Sequence, residues 1–464
     1  MRLCFIADLN SIHSRKFIRF FPPRGHEVLV LSTTRFAGNE FSGARVINLP
    51  AEATGGAPPA VLAAARRALT VSHSAARRAL GDRLARVRSI ATPRDPDLYL
   101  RAIQRTIERD LARGLEQRML FYETHRARVR ELVHDFHPDL LQCLRLPVEG
   151  YLGACAEYHP TLHFCWGNDL TLYASRYPRY GERTREALSR CAAFLTDCRR
   201  DARLAPEWGL PRGTPTLVTP GGGGLETDAH EHHPDEDATA VVSAGASPVA
   251  SDRLGAEGAT AWSPEPARDG PGRAAFLTLR GLGGRYTDNL PVIRAIPLLL
   301  GEVGDRLALR FAGSTVPYGA LLRTEAHRLG VERFLEFLGR VEHARIPELI
   351  VRNRFVFSAT YHDGTPNSML ETMWYGGIPI CSDLESIREW IVDGENGYFF
   401  DMRDPASIAA AFARALREEG RHDDFRRRNR ALIRERADYR TCMGRVLELY
   451  ERIVAGGLGN PVGS

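Results

Sequence analysis

The chain has 464 residues, of which 44% are apolar, and a formal net charge of +5. That length and apolar content suit two ordinary domain cores and exclude a wholly disordered chain. The small positive balance gives no reason to expect a nucleic-acid partner. It is carried almost wholly by arginine, with Lys16 the only lysine, so a missing lysine at any site carries little weight.

Eight cysteines (Cys4, Cys143, Cys155, Cys165, Cys191, Cys198, Cys381 and Cys442) stand without a CxxC or a metal-ligand spacing. Free thiols in a reducing compartment are expected. The first apolar run stops at Ala7, too short for a secretion signal, and no run reaches the ~18 residues of a membrane span. A cytoplasmic protein is expected, with the inner membrane surface as a secondary location.

Leu3 to Ala7 reads as a buried strand, followed by a turn from Asp8 to Ser14 that carries Asn10 and His13. A helix from about Arg15 to Arg24-Gly25 and a strand from His26 to Ser32 then open a doubly wound α/β domain. Residues 58–130 break this alternation with an Ala-, Leu- and Arg-rich helical pattern, interrupted near Thr92 to Asp97. Val61 to Arg130 holds 16 Arg against 7 acidic residues, a net of +9. Two readings fit: a helical insert with a solvated basic face, or a basic amphipathic surface for anionic lipid or an acidic acceptor. Asp139 to Cys143 and Leu162 to Cys165 read as further parallel strands, and Trp166-Gly167-Asn168-Asp169 follows on the ligand side.

Ala229 to Arg273 is polar and without apolar periodicity, which predicts a flexible insertion. His230, His232 and His233 lie in it without matched partners, so no metal site is expected. A second domain begins near Ala274. Its first strand, Phe276 to Leu279, ends at Arg280, and Arg285 follows, either at the ligand or as a surface loop charge. Leu307 to Ala312 leads into Gly313-Ser314, and Phe334 to Leu338 leads into Gly339-Arg340-Val341.

Phe355 to Phe400 is the most informative stretch. An apolar strand (FVFSA) leads into a polar loop from Thr360 to Thr365. A helix follows, with Thr365 placed to cap it, Pro366 at its first position, and Met369, Leu370, Met373 and Trp374 at helical spacing. Gly376 and Gly377 stop it, and Ile378 to Cys381 form the next strand. Asp363 and Glu371 flank a helix start whose N–H groups at Asn367 and Ser368 can hold a diphosphate. Each carboxylate can bind hydroxyls. The alternative is an acid in a turn and a solvated Glu on a helix flank.

This stretch resembles the carbohydrate-binding signature of family 4 retaining glycosyltransferases, among the glycosyl transferases group 1. The resemblance rests on Asp363, seven residues, Glu371, Gly377-Ile378-Pro379, Arg388-Glu389 and Asp393-Gly394-x-Asn396-Gly397. RGHEVLVLS near the N-terminus, Trp166-Gly167-x-Asp169 and PGGGGLETD at the hinge extend it. It implies the GT-B architecture, two facing Rossmann-like domains with a cleft between them. Residues 1–219 would be the acceptor side with the insert 58–130, 220–273 the hinge and linker, 274–440 the donor side, and 441–464 a returning helix and tail.

The activity implied is transfer of a sugar from a nucleoside-diphosphate donor to a saccharide, lipid-linked or small-molecule acceptor, with retention and without metal or further cofactor. On that resemblance Arg280 and Arg285 serve the diphosphate, Asp363 the sugar hydroxyls and Glu371 the ribose. Gly364, Thr365, Pro366, Asn367 and Ser368 form the donor loop and helix start, and Gly313 and Arg340 lie beside the nucleotide. Asn10, His13, Trp166, Gly167 and Asp169 line the facing side. The chain departs from the common pattern in having Asp363 for Glu, Trp166 for His and Arg285 for Lys. A sugar-nucleotide epimerase shares the architecture, but no acid-base set for it is identifiable. A non-catalytic sugar-nucleotide binder is the other alternative.

Overall fold

The structure, a computed structural model, describes residues 1–49, 96–227, 274–284, 286–313 and 318–456. The expected insertion at 229–273, the basic stretch before residue 96 and Arg285 lie outside the described residues.

The first domain runs β1 (Arg2–Ala7), α1 (Ile12–Ile18), β2 (Glu27–Ser32), β3 (Glu40–Phe41), β4 (Ala44–Asn48), α2 (Pro96–Phe136), β5 (Leu140–Leu144) and α3 (Tyr151–Cys155). It continues with β6 (Thr161–Cys165), α4 (Pro178–Ser189), β7 (Ala193–Thr196), α5 (Arg199–Leu204) and β8 (Thr216–Val218). Its eight-stranded sheet has the order β3-β4-β2-β1-β5-β6-β7-β8, parallel except for the β3–β4 hairpin. Strands such as LCFIA can sit here because both faces are covered. Phe5 meets Phe17 and Phe21 on one face, while Cys4 and Ile6 meet Tyr122 and Val133 of α2 on the other.

The second domain runs β9 (Ala274–Thr278), α6 (Leu290–Val303), β10 (Leu307–Ala312), α7 (Tyr318–Leu329), β11 (Leu335–Gly339), α8 (Ile346–Asn353) and β12 (Phe355–Ser358). Then come α9 (Asn367–Trp374), β13 (Ile378–Ser382), β14 (Tyr398–Phe400), α10 (Pro405–Arg417), α11 (His422–Arg436) and α12 (Tyr439–Val454). Its six-stranded parallel sheet has the order β11-β10-β9-β12-β13-β14. The direction of winding reverses between β9 and β12, and such a switch point opens a crevice at the strands' carboxyl ends. Arg280 and the loop with Asp363 emerge there.

Two local expectations need correction. α1 begins at Ile12, not Arg15, because Ser11 Oγ accepts the Ser14 N–H at 3.4 Å and caps it. It stops at Ile18, and a single 3-10 turn at Pro22–Arg24 carries the chain to Gly25, since the Pro22-Pro23 pair lacks the N–H groups to extend a helix. At α9, Pro366 occupies the cap position with extended backbone (ψ 122°) and gives no side-chain cap. Thr365, expected to cap, instead donates to the Asp197 carbonyl and accepts from Trp390 Nε1 at 3.0 Å.

The described part of the basic stretch belongs to α2, a 41-residue helix. Leu115, Met119, Tyr122, Val129 and Val133 bury its inner face. On the outer face Arg126, Arg128 and Arg130 pair with Glu123, Glu131 and Glu157, as a solvated face would. Among the described residues no helix is long and apolar enough to cross a membrane.

α12 returns from the second domain and packs on the first. Tyr450 stacks on Phe21 with centroids 5.4 Å apart and donates its hydroxyl to Gln142 Oε1 at 2.7 Å. Gln142 is fully buried. Tyr450→Phe therefore strands a buried acceptor and is expected to cost about 1–3 kcal/mol. An unchanged urea midpoint would contradict it.

Candidate functional site at the domain cleft

Arg280 leaves the end of β9 and Asp363 lies in the loop after β12. The two loops are zipped together by the Tyr361 N–H on the Tyr286 carbonyl at 2.7 Å. The Arg280 guanidinium pairs directly with Asp363 Oδ2, and Asp363 Oδ1 accepts the Gly364 N–H at 3.1 Å. Burial pushes the Asp363 carboxyl above its ordinary range, against the pull of Arg280 and the Gly364 N–H. Arg280 Nε is buried without a partner among the described residues.

Beyond the loop, the Pro366 carbonyl already accepts the N–H groups of Met369 (3.0 Å) and Leu370 (3.2 Å). The Asn367 and Ser368 N–H groups stand before them as the first donors of α9, where a helix has no acceptor of its own. Asn367 Nδ2 donates across the cleft to His13 Nδ1 at 3.3 Å. Burial, then Lys16, hold the His13 pKa at about 4, so the ring is neutral near pH 7 and its Nδ1 can accept.

Glu371 lies one turn further along α9 and is hydrogen-bonded to His343 Nε2 at 2.8 Å. The bond to Glu371 raises the His343 pKa, with burial acting against it. This bond contributes fully below the ordinary value of 6.5 and is lost as pH rises through the raised value. A ligand hydroxyl that takes Glu371 from His343 releases that proton. If the nucleoside diphosphate that the sequence resemblance implies binds in this way, its affinity is expected to rise with pH in the wild type relative to His343→Gln, which titration calorimetry across pH 6 to 8 would read. Parallel profiles in the two proteins would contradict the exchange.

The facing wall comes from the first domain. The Trp166 ring meets His13 edge-on with centroids 6.1 Å apart, and the Arg145 guanidinium lies 5.5 Å over it. Trp166 Nε1 is buried without a partner among the described residues. Asp169 does not line the cleft. It is fully buried, accepting from Arg145 Nη2 (2.7 Å), Leu146 N–H (3.1 Å) and Trp166 N–H (3.0 Å), and so shapes the loop from behind. Asn10 is exposed at the edge, with its N–H on Asp8 Oδ1 at 2.8 Å.

Gly167 approaches the opposite domain's loop. A Cβ on Gly167 would lie 1.8 Å from the Gly364 nitrogen, and one on Gly364 would lie 2.2 Å from Asp197 Oδ1. The two glycines let the domains touch backbone to backbone. Gly313 supports the site from behind. Its N–H is used by the Gly339 carbonyl at 2.7 Å, and a Cβ there would come within 2.9 Å of Gly281 Cα. Arg340 is exposed.

Sequence reading missed several residues that build this contact. Arg199 and Arg200 N–H groups at the start of α5 are accepted by Glu389 at 3.0 and 3.2 Å, so one domain's carboxylate caps the other's helix. Lys16 donates to the Gly224 carbonyl of the hinge, and its own carbonyl accepts from Tyr439 at 2.7 Å. Asp197, Cys198 and Asp201 cluster within 4.8 Å of one another. Their carboxylates are already engaged, Asp197 by the Gly167 N–H and Asp201 by Arg200, so the cluster reads as structural. The available signal was position: Arg200 lies four residues past the end of β7, on its ligand side, but in an arginine-rich chain it does not stand out.

Residues 290–432 match the family model described as Glycosyl transferases group 1. No curated protein matches the chain. Among solved structures, Anabaena HepE in complex with UDP-glucose superposes with a TM-score of 0.64 at 13% identity, over 97% of this chain and 99% of that one. Sucrose-phosphate synthase from Thermosynechococcus elongatus gives 0.65 at 13% identity, over 98% and 100%. The UDP-forming alpha,alpha-trehalose-phosphate synthase of Burkholderia xenovorans gives 0.61 at 13%, over 97% and 99%. At such identities the likeness speaks for architecture: the chain has the GT-B fold, two Rossmann-like domains facing across a cleft.

Proposed function

We propose that the protein is a retaining glycosyltransferase of the family 4 type, which moves a sugar from a nucleoside-diphosphate donor to an acceptor held against the first domain. The observation that carries this is the joining of Arg280, Asp363, the start of α9 and Glu371 at one switch point, opposite His13 and Trp166. The family match over residues 290–432 covers Asp363, the start of α9 and Glu371, and begins after Arg280. UDP and UDP-glucose in the HepE complexes make uridine donors the first to try.

On this reading the diphosphate sits between Arg280 and the Asn367 and Ser368 N–H groups. As the glycosidic bond breaks, negative charge grows on the departing diphosphate, where fixed donors stabilise it without reorganising. Glu371 binds the ribose. Asp363 holds sugar hydroxyls, and its carboxylate opposes the positive charge developing on the ring. Asp363 is tied to Arg280 and so is poorly suited to act as a nucleophile. The acceptor hydroxyl then attacks from the face that the diphosphate leaves and passes its proton to the departing diphosphate oxygen, preserving the anomeric configuration.

The test is a mass-spectrometric screen of UDP-, GDP- and ADP-sugars. Release of a nucleoside diphosphate by slow hydrolysis or transfer is expected. An isomeric nucleotide sugar would make the protein an epimerase, and binding without turnover would make it a sugar-nucleotide binder.

A further inference from the structure

Arg200, in the first turn of α5, is 8% exposed. Its Nε donates to Asp201 Oδ1 at 2.8 Å and its Nη2 to the Gly167 carbonyl at 2.6 Å. Its Nη1 donates to the Asp363 carbonyl at 2.7 Å and to Ser386 Oγ at 3.3 Å. One guanidinium thus grips the first domain's cleft loop and the second domain's acidic loop at once.

We propose that Arg200 is a positioning residue that couples closure of the cleft to the placing of Asp363. This rests on the glycosyltransferase reading above. Asp201 holds one edge of the planar fork, which leaves the other edge aimed at two carbonyls. An ammonium on a flexible stem cannot reproduce that geometry. Burial opposes the charge, but the acidic neighbours, Asp201 first among them, together more than offset it, so the group stays cationic. The Asp363 carbonyl also accepts Ser386 Oγ at 2.7 Å, so it is held from both domains while its carboxylate is held by Arg280. In an open form water can replace the two carbonyls, which keeps the net strength of the latch modest and the closure reversible.

The experiment compares wild type, Arg200→Lys and Ser386→Ala. Turnover is measured with the best donor from the screen, binding with UDP, GDP and ADP, and shape by small-angle scattering. Arg200→Lys is expected to lower kcat by about tenfold or more, leave nucleoside-diphosphate affinity unchanged, and enlarge the radius of gyration. Ser386→Ala should act in the same direction and less, and it carries the test if Arg200→Lys does not fold. Unchanged kcat, or equal losses of kcat and nucleotide affinity, would overturn the role. If the wild type turns over no donor, the glycosyltransferase reading fails by itself. Scattering still decides the latch in that case, and identical radii in wild type and variants would overturn it.

Discussion

Glu371→Ala is expected to weaken binding of the free nucleoside diphosphate roughly tenfold to a hundredfold, the worth of one charge-assisted hydrogen bond at about 1.5–3 kcal/mol. Asp363→Ala should behave differently. It removes the acid that the sugar would meet and leaves Arg280, which now pairs with Asp363, free to attract the diphosphate. Free-nucleotide affinity should hold or rise while kcat falls, as for an interaction made chiefly in the transition state. Asp363→Glu should retain part of the activity. Equal losses of nucleotide affinity in both alanine variants, each still folded, would contradict this division of labour.

Gly167→Ala is expected to reduce kcat about a hundredfold, the penalty of misplacing reacting groups by about 1 Å. The added methyl would fall 1.8 Å from the Gly364 nitrogen, which is backbone and cannot rotate away. The domains can relieve that overlap by moving apart, so the melting temperature should change little. Kinetics alongside differential scanning calorimetry separates the two effects. A kcat near wild type would show that turnover does not need this contact.

Much of the second domain was legible in the sequence. FVFSA, the apolar spacing from Met369 to Trp374 and the Gly376-Gly377 stop report local periodicity, and the structure sets a strand and a helix there. The pairing of loops was not legible, because it is decided by residues far apart in the chain. Thr365 has the right chemistry for a helix cap, yet its hydroxyl is claimed by Asp197 and Trp390. Asp169 follows a strand and reads as a cleft residue, but Arg145 draws it inward, with Arg145 itself at a φ of 101°. Gly167 reads as one of the residues lining the facing side of the cleft; the structure sets it against the Gly364 backbone. In each case a tertiary partner decided between two uses of the same side chain.

On the proposed function, a nucleoside diphosphate binds between the β9 and β12 loops with its ribose on Glu371. A crystal structure of the complex with the tightest-binding nucleoside diphosphate tests it most directly. Diphosphate oxygens are expected in hydrogen-bond reach of Arg280 and of the Asn367 and Ser368 N–H groups, with Glu371 turned from His343 to the ribose hydroxyls. A nucleotide seated elsewhere, or one whose ribose leaves the Glu371–His343 bond intact, would contradict it.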